Sequence, residues 1–175
     1  MTELYRGKFL GLYQTGRWEY CSRTNASAVV VIVARTVDGH ILFTEQYRPP
    51  VGSRVIEFPA GLVGDEPGCE DEPLETAAIR ELEEECGYLA QSMTALTAGP
   101  TSAGLTNELI YFFNAVKPIR TGGGGGVGAE NITVHEVPQA QCHSWLEQQQ
   151  NNGLMVDPKV YAGLYFLSRT KGSSG

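Results

Sequence analysis

The stretch Arg80-Glu81-Leu82-Glu83-Glu84-Glu85-Cys86-Gly87 decides the reading of this 175-residue chain. Pro73, seven positions ahead of it, suits the start of a helix, and acidic residues before and after that proline suit the positive end of the helix dipole. A helix over Leu74–Cys86 follows. The 3.6-residue period places Ala78, Ile79, Leu82 and Cys86 on one apolar stripe and gathers Glu81, Glu84 and Glu85, at i, i+3 and i+4, on another. Like charges at that spacing destabilise a helix by a few tenths of a kcal/mol per pair, roughly. Arg80 can pair with Glu84 at i+4 but cannot neutralise all three acids. Periodicity alone leaves two readings, a solvated acidic face or a seat for cations.

Charge is unevenly spread around this helix. The net charge is −7, yet 11 of the 20 acidic residues lie between Glu57 and Glu85, where Arg80 is the only base. The remaining chain is mildly basic without a broad basic face, so nucleic acid is not expected as a partner. With 42% hydrophobic and 19% charged residues, the composition is that of one soluble domain with its own core. The longest apolar run, Ala28 to Ala34, is far too short to span a bilayer, and Met1-Thr-Glu-Leu-Tyr-Arg6 has no apolar leader core, so a cytoplasmic, membrane-free protein is expected. Cys21, Cys69, Cys86 and Cys142 lack metal-site spacing and are read as reduced thiols. His40, His135 and His143 form no zinc pattern.

Strand-like runs occur at Val29 to Val33, Ile41 to Gln46, Arg54 to Phe58, Leu109 to Val116 and Ile132 to Val137, and Val37-Asp-Gly-His40 supplies a hairpin turn between the first two. Further helices are expected at Ser144 to about Gln150 and at Pro158 to Arg169. Strands intermixed with helices predict an α/β or α+β sandwich. Gly122 to Gly126 reads as a mobile surface loop, because five glycines do not hold a fixed backbone cheaply. Lys171-Gly-Ser-Ser-Gly175 reads as a disordered tail or a cloning scar.

The string from Arg80 to Gly87 resembles the heart of the Nudix hydrolase box, R-E-U-x-E-E-x-G-U, and Glu72 matches the box as well. Gly61 corresponds to its opening glycine with five extra residues inserted within Gly64 to Asp71, and Tyr88 replaces the usual aliphatic residue. Gln46-Tyr-Arg-Pro-Pro50, Ile56-Glu-Phe-Pro-Ala-Gly61 and Arg17-Trp-Glu-Tyr-Cys-Ser-Arg-Thr24 are similar to segments of the branch that includes ADP-ribose and other nucleoside diphosphate sugar pyrophosphatases. That branch's proline about fifteen residues after the box is replaced by Ala103, which leaves the sugar open.

The resemblance implies one Nudix domain over residues 1–170, an α/β/α sandwich with a mixed β-sheet and a catalytic helix, dimerising as a homodimer through strands within about residues 1–24. It implies hydrolysis of a nucleoside diphosphate sugar to a nucleoside monophosphate and a sugar phosphate, with Mg²⁺ or Mn²⁺ as cofactor. Hydrolysis of a dinucleoside polyphosphate or NADH, and non-catalytic nucleotide sensing, are the alternatives. The metal would be held by Glu81, Glu84, Glu85 and the Ala60 carbonyl, with Glu84 and Glu85 counted also as catalytic. The general base would be Glu130, with Glu136 as the alternative. Substrate contacts would come from Arg48, on a phosphate or the terminal ribose, from Trp18 and from Arg23. Trp18 is read either as a base-stacking ring or as an ordinary core or dimer-contact aromatic, and Glu57 either as an outer metal ligand or as an anchor for Arg48.

Overall fold

The computed structural model describes residues 1–65, 68–128 and 131–169. In chain order its elements are β1 (Thr2–Arg6), β2 (Leu10–Thr15), β3 (Trp18–Arg23), β4 (Ala28–Ala34), β5 (His40–Arg48), β6 (Ser53–Glu57), β7 (Ala60–Val63), α1 (Leu74–Cys86), β8 (Tyr88–Leu89), β9 (Ser92–Pro100), β10 (Leu109–Val116), β11 (Ile119–Arg120), β12 (Thr133–Pro138), α2 (Cys142–Asn151), β13 (Met155–Val156) and α3 (Pro158–Arg169).

The apolar run Ala28–Ala34 organises the whole. Its side chains alternate, so Val30, Ile32 and Ala34 enter a core shared with Ala78, Leu82 and Cys86 of α1, while Val31 and Val33 enter a second core with Val160 and Leu167 of α3. β5 divides in the same way, with Leu42 in the first core and Ile41 and Phe43 in the second. A strand buried on both faces reads as a continuous apolar run, and α1 on one side with α2 and α3 on the other makes the expected α/β/α sandwich.

The mixed strand pairing is as expected, and it forms two four-stranded sheets in the orders β7-β4-β10-β9 and β12-β5-β6-β13. In each, one pair is parallel, β4 with β10 and β6 with β13. The turn after β4 forms as predicted, with the Gly39 amide donating to the Thr36 carbonyl at 3.0 Å, but its strands share a single bridge, Arg35 with Ile41, and then diverge into different sheets. Each strand already has two other neighbours, β7 and β10 for β4 and β12 and β6 for β5, so neither edge is free for hairpin pairing. A separate three-stranded antiparallel sheet, β1-β2-β3, precedes the sandwich and presents Leu4, Tyr5, Leu10 and Trp18 to solvent.

Helix α3 approaches the sheets closely through Gly163. A Cβ there would overlap the Phe58 ring and lie 2.9 Å from Val33 Cγ2. Gly163→Ala is therefore expected to overpack the second core by about 1–3 kcal/mol and to lower Tm by several degrees in a thermal melt. An unchanged Tm would show that α3 is not held this near.

Candidate active site

Helix α1 ends where Gly87 takes φ +70, a left-handed conformation suited to glycine, and its amide donates to the Glu83 carbonyl at 2.8 Å. Burial of Ala78, Leu82 and Cys86 fixes the rotation of the helix and turns its acidic face outward. Arg80 lies across that face. Its guanidinium donates to Glu72 at 3.0 Å, Glu81 at 2.8 Å, Glu84 at 3.2 Å and the Leu62 carbonyl at 3.3 Å. Burial alone would lower the pKa of Arg80, but the three carboxylates outweigh it and hold the group firmly charged.

Glu85 is buried at 7% exposure, and its Oε2 accepts the Ala60 amide at 3.0 Å. Burial, reinforced by Glu84 and opposed by Arg80, pushes the Glu81 carboxyl up to about 7. The Glu81 carboxylate lies against the backbone of Gly61, where any Cβ would overlap it, so a side chain at this position would displace the carboxylate. Glu72, Glu81 and Glu84 thus meet one guanidinium, with Glu85 one residue on from Glu84. That deficit of positive charge, on hard oxygen donors, fits Mg²⁺ or Mn²⁺. Among the described residues no three acidic, histidine or cysteine side chains already converge on one ion position, and Glu81 and Glu84 are held by Arg80.

Glu81 and Glu85 open onto a cleft of about 390 Å³ that also receives Ala60, Arg23, Arg48 and Glu57. Arg48 Nε donates to Glu57 at 2.7 Å and Arg23 Nε to Glu108 at 2.6 Å, so two planar cations are held at the cleft wall in fixed orientations. Of the two roles open to Glu57, the contact favours the anchor for Arg48. Glu84 lies beside the cleft rather than in its lining, tied to Arg80. Trp18 is 58% exposed and lines a separate hollow with Tyr20 and Thr106, which removes the reading as a core aromatic and keeps it out of this cleft. Glu130 lies outside the described residues. Glu136 is paired with Arg120 at 3.3 Å and does not line the cleft. Glu108 and Lys159 line the cleft without having been anticipated. Glu108 meets Arg23 across 85 positions of sequence, which no local pattern reveals.

A NUDIX domain model matches residues 24–151, most of the chain. The chain belongs to the NUDIX family. It is similar to an ADP-sugar pyrophosphatase of Mus musculus, 35% identical over 167 residues that cover 85% of this chain and 72% of that protein. It is also similar to an ADP-ribose pyrophosphatase of Bacillus subtilis, 33% identical over 121 residues that cover 65% and 62% respectively. The chain spans only about half the length of some other curated relatives. A solved structure described as an ADP compounds hydrolase shares the fold, with a TM-score of 0.71 at 21% identity over 98% of this chain and 93% of that one.

One feature of this NUDIX chain departs from its sequence reading. The glycine run is not a detached surface loop but is docked on the end of α1. The Gly125 amide donates to the Glu85 carbonyl at 2.8 Å and the Gly126 amide to the Glu84 carbonyl at 3.1 Å, satisfying carbonyls that a helix end otherwise leaves without partners. Gly124, at φ +66, sits so close that a Cβ would lie 2.5 Å from the Cys86 carbonyl carbon. Within the run it is Gly124 that the close approach requires. Gly124→Ala should therefore lose about 1–3 kcal/mol and speed hydrogen exchange at Gly125 and Gly126, whereas Gly123→Ala, whose Cβ meets nothing within 4 Å, should change neither. Equal behaviour of the two variants would refute the docking.

Proposed function

We propose that this protein hydrolyses the pyrophosphate bond of a nucleoside diphosphate sugar of the ADP-ribose type, releasing a nucleoside monophosphate and a sugar phosphate. The observation that carries this reading is a single cleft in which acids of the NUDIX helix, Glu81 and Glu85, face the anchored cation Arg48. The named activities of the Mus musculus and Bacillus subtilis relatives support the substrate class.

A diphosphate is a multiply charged oxygen ligand, and its hydrolysis requires charge neutralisation, an oriented water and a stabilised leaving phosphate. Glu81, Glu84 and Glu85, with the Ala60 carbonyl, would hold Mg²⁺ or Mn²⁺, which supplies Lewis-acid neutralisation of the phosphate oxygens. Arg80 sets the orientation of Glu81 and Glu84, and the Ala60 amide sets that of Glu85. Arg48 and Arg23 present guanidinium forks suited to phosphate or ribose oxygens. Water adds to one phosphorus, the bridging P–O bond breaks, and the proton passes to a general base. Glu130 is assigned that role from its sequence setting, and the ion pair of Glu136 with Arg120 disfavours the alternative.

The assignment extends to a homodimer built on the β1-β2-β3 sheet, supported by the apolar side chains it exposes. Trp18 lies outside the chain's own cleft, so stacking on the substrate base requires a cleft shared between two copies. Four free cysteines agree with a reducing, cytoplasmic setting.

The test is a product assay over ADP-ribose, ADP-glucose, GDP-mannose, UDP-glucose, NADH and diadenosine polyphosphates. Turnover of a nucleoside diphosphate sugar is expected with Mg²⁺ or Mn²⁺, and none in excess chelator. Glu85→Gln should lower kcat by roughly 10³-fold, whereas Glu83→Gln, on an exposed side of the helix where it meets Thr121, should leave kcat within about twofold. Equal rates with and without chelator, or equal effects of the two substitutions, would contradict the proposal.

A further inference from the structure

Among the described residues lining the cleft, the cations are Arg23, Arg48 and Lys159. They are not equivalent. Arg23 and Arg48 are each paired with a carboxylate that lines the same cleft, Glu108 and Glu57, so each pair brings no net charge to a ligand. Lys159 pairs instead with Asp157, which does not line it. The ammonium group therefore brings positive charge to the cleft while its counter-ion is outside the lining.

The position of Lys159 is built into the fold. β13 runs parallel to β6, and the Asp157 amide donates to the Ile56 carbonyl at 3.0 Å, one residue before Glu57. Asp157 then starts α3, with its Oδ1 accepting the Lys159 amide at 2.8 Å and its carbonyl accepting the Val160 amide at 2.9 Å. The sheet register thus delivers Lys159 to the wall that holds the Arg48–Glu57 pair. Its side chain is 32% exposed, and Asp157 is half as exposed at 16%, so the ammonium can reach a ligand while its carboxylate partner stays in place.

We propose that Lys159 is a substrate-binding residue whose ammonium group grips a non-bridging oxygen of the diphosphate. This rests on the reading of the cleft as a nucleoside diphosphate sugar site. Lysine suits the task as a compact charge on a flexible stem, because it can turn from Asp157 to a phosphate without the fixed geometry that a guanidinium needs. The grip is made equally in the ground and transition states, so it acts on KM and leaves kcat in place.

The test compares wild type, Lys159→Gln and Lys159→Arg in the full chain. Titration calorimetry with inorganic pyrophosphate and Mg²⁺ gives Kd, and steady-state kinetics on ADP-ribose give KM and kcat, each at two ionic strengths. The expected result for Lys159→Gln is a rise of roughly tenfold in both Kd and KM with kcat within about threefold. Lys159→Arg should recover most of the loss, and KM should depend less on salt in Lys159→Gln than in wild type. An unchanged Kd and KM in Lys159→Gln would overturn the proposal, as would equal losses in both variants with a lowered Tm, which would mark Lys159 as structural. A wild type that turns over no nucleoside diphosphate sugar would defeat the functional reading instead, and the pyrophosphate titration would still decide the role of Lys159.

Discussion

Among the described residues Arg80 is shared by the carboxylates of Glu72, Glu81 and Glu84 and by a backbone carbonyl, and the site depends on that sharing. Glu72 belongs to the loop before α1, Glu81 and Glu84 to the helix itself, and Leu62 to β7, so one guanidinium ties three segments together. Removing one partner from a fully buried ion pair costs about 3–5 kcal/mol, and this partly buried network carries less than that per partner. The same contact holds Glu81 against the backbone of Gly61 and leaves Glu85 to the Ala60 amide. These contacts fix where Glu81, Glu84 and Glu85 stand, although among the described residues no three such side chains yet converge on one ion position. A site prepared in that way gains most from a divalent ion and a polyanionic substrate.

The sandwich supplies the walls for this arrangement. β4 and β5 are buried on both faces, so α1 and α3 can pack on opposite sides of the same strands. β7 brings Ala60 and Gly61 to the acidic face of α1, while β6 and β13 carry Glu57 and the start of α3. The cleft therefore draws on both halves of the sandwich. After β11, Gly125 and Gly126 close the end of α1 by donating to the carbonyls of Glu85 and Glu84, the residues whose side chains are assigned to the metal.

Much of this was legible in local pattern. The helix over Leu74–Cys86 and the strand over Leu109–Val116 lie where periodicity and proline placed them, because the helix meets one core at helical spacing and the strand alternates between the two, Ile110 and Phe112 in one and Phe113 and Ala115 in the other. β9 was not legible, since Ser92–Pro100 is rich in small and polar residues and stays half exposed, with no alternation to read. The divergence of β4 and β5 is also hidden from local pattern, because two-sided burial leaves the same apolar run whether the neighbours are shared or not. The acidic residues of the site could be named from their box, but their partners could not. Glu108 and Lys159 reach the cleft through tertiary contact alone, and the docking of the glycine run depends on atoms some 40 residues away in the chain.

The most direct measurement of the central claim is hydrolysis of ADP-ribose in ¹⁸O-labelled water with Mg²⁺, followed by mass analysis of the products. The account predicts AMP and ribose 5-phosphate in equal amounts, with one ¹⁸O atom on a single phosphate between them and none on the sugar carbons beyond exchange at the free anomeric position. Release of ADP with free ribose, or label at any other position, would show that the bond cleaved is not the pyrophosphate and would contradict the account.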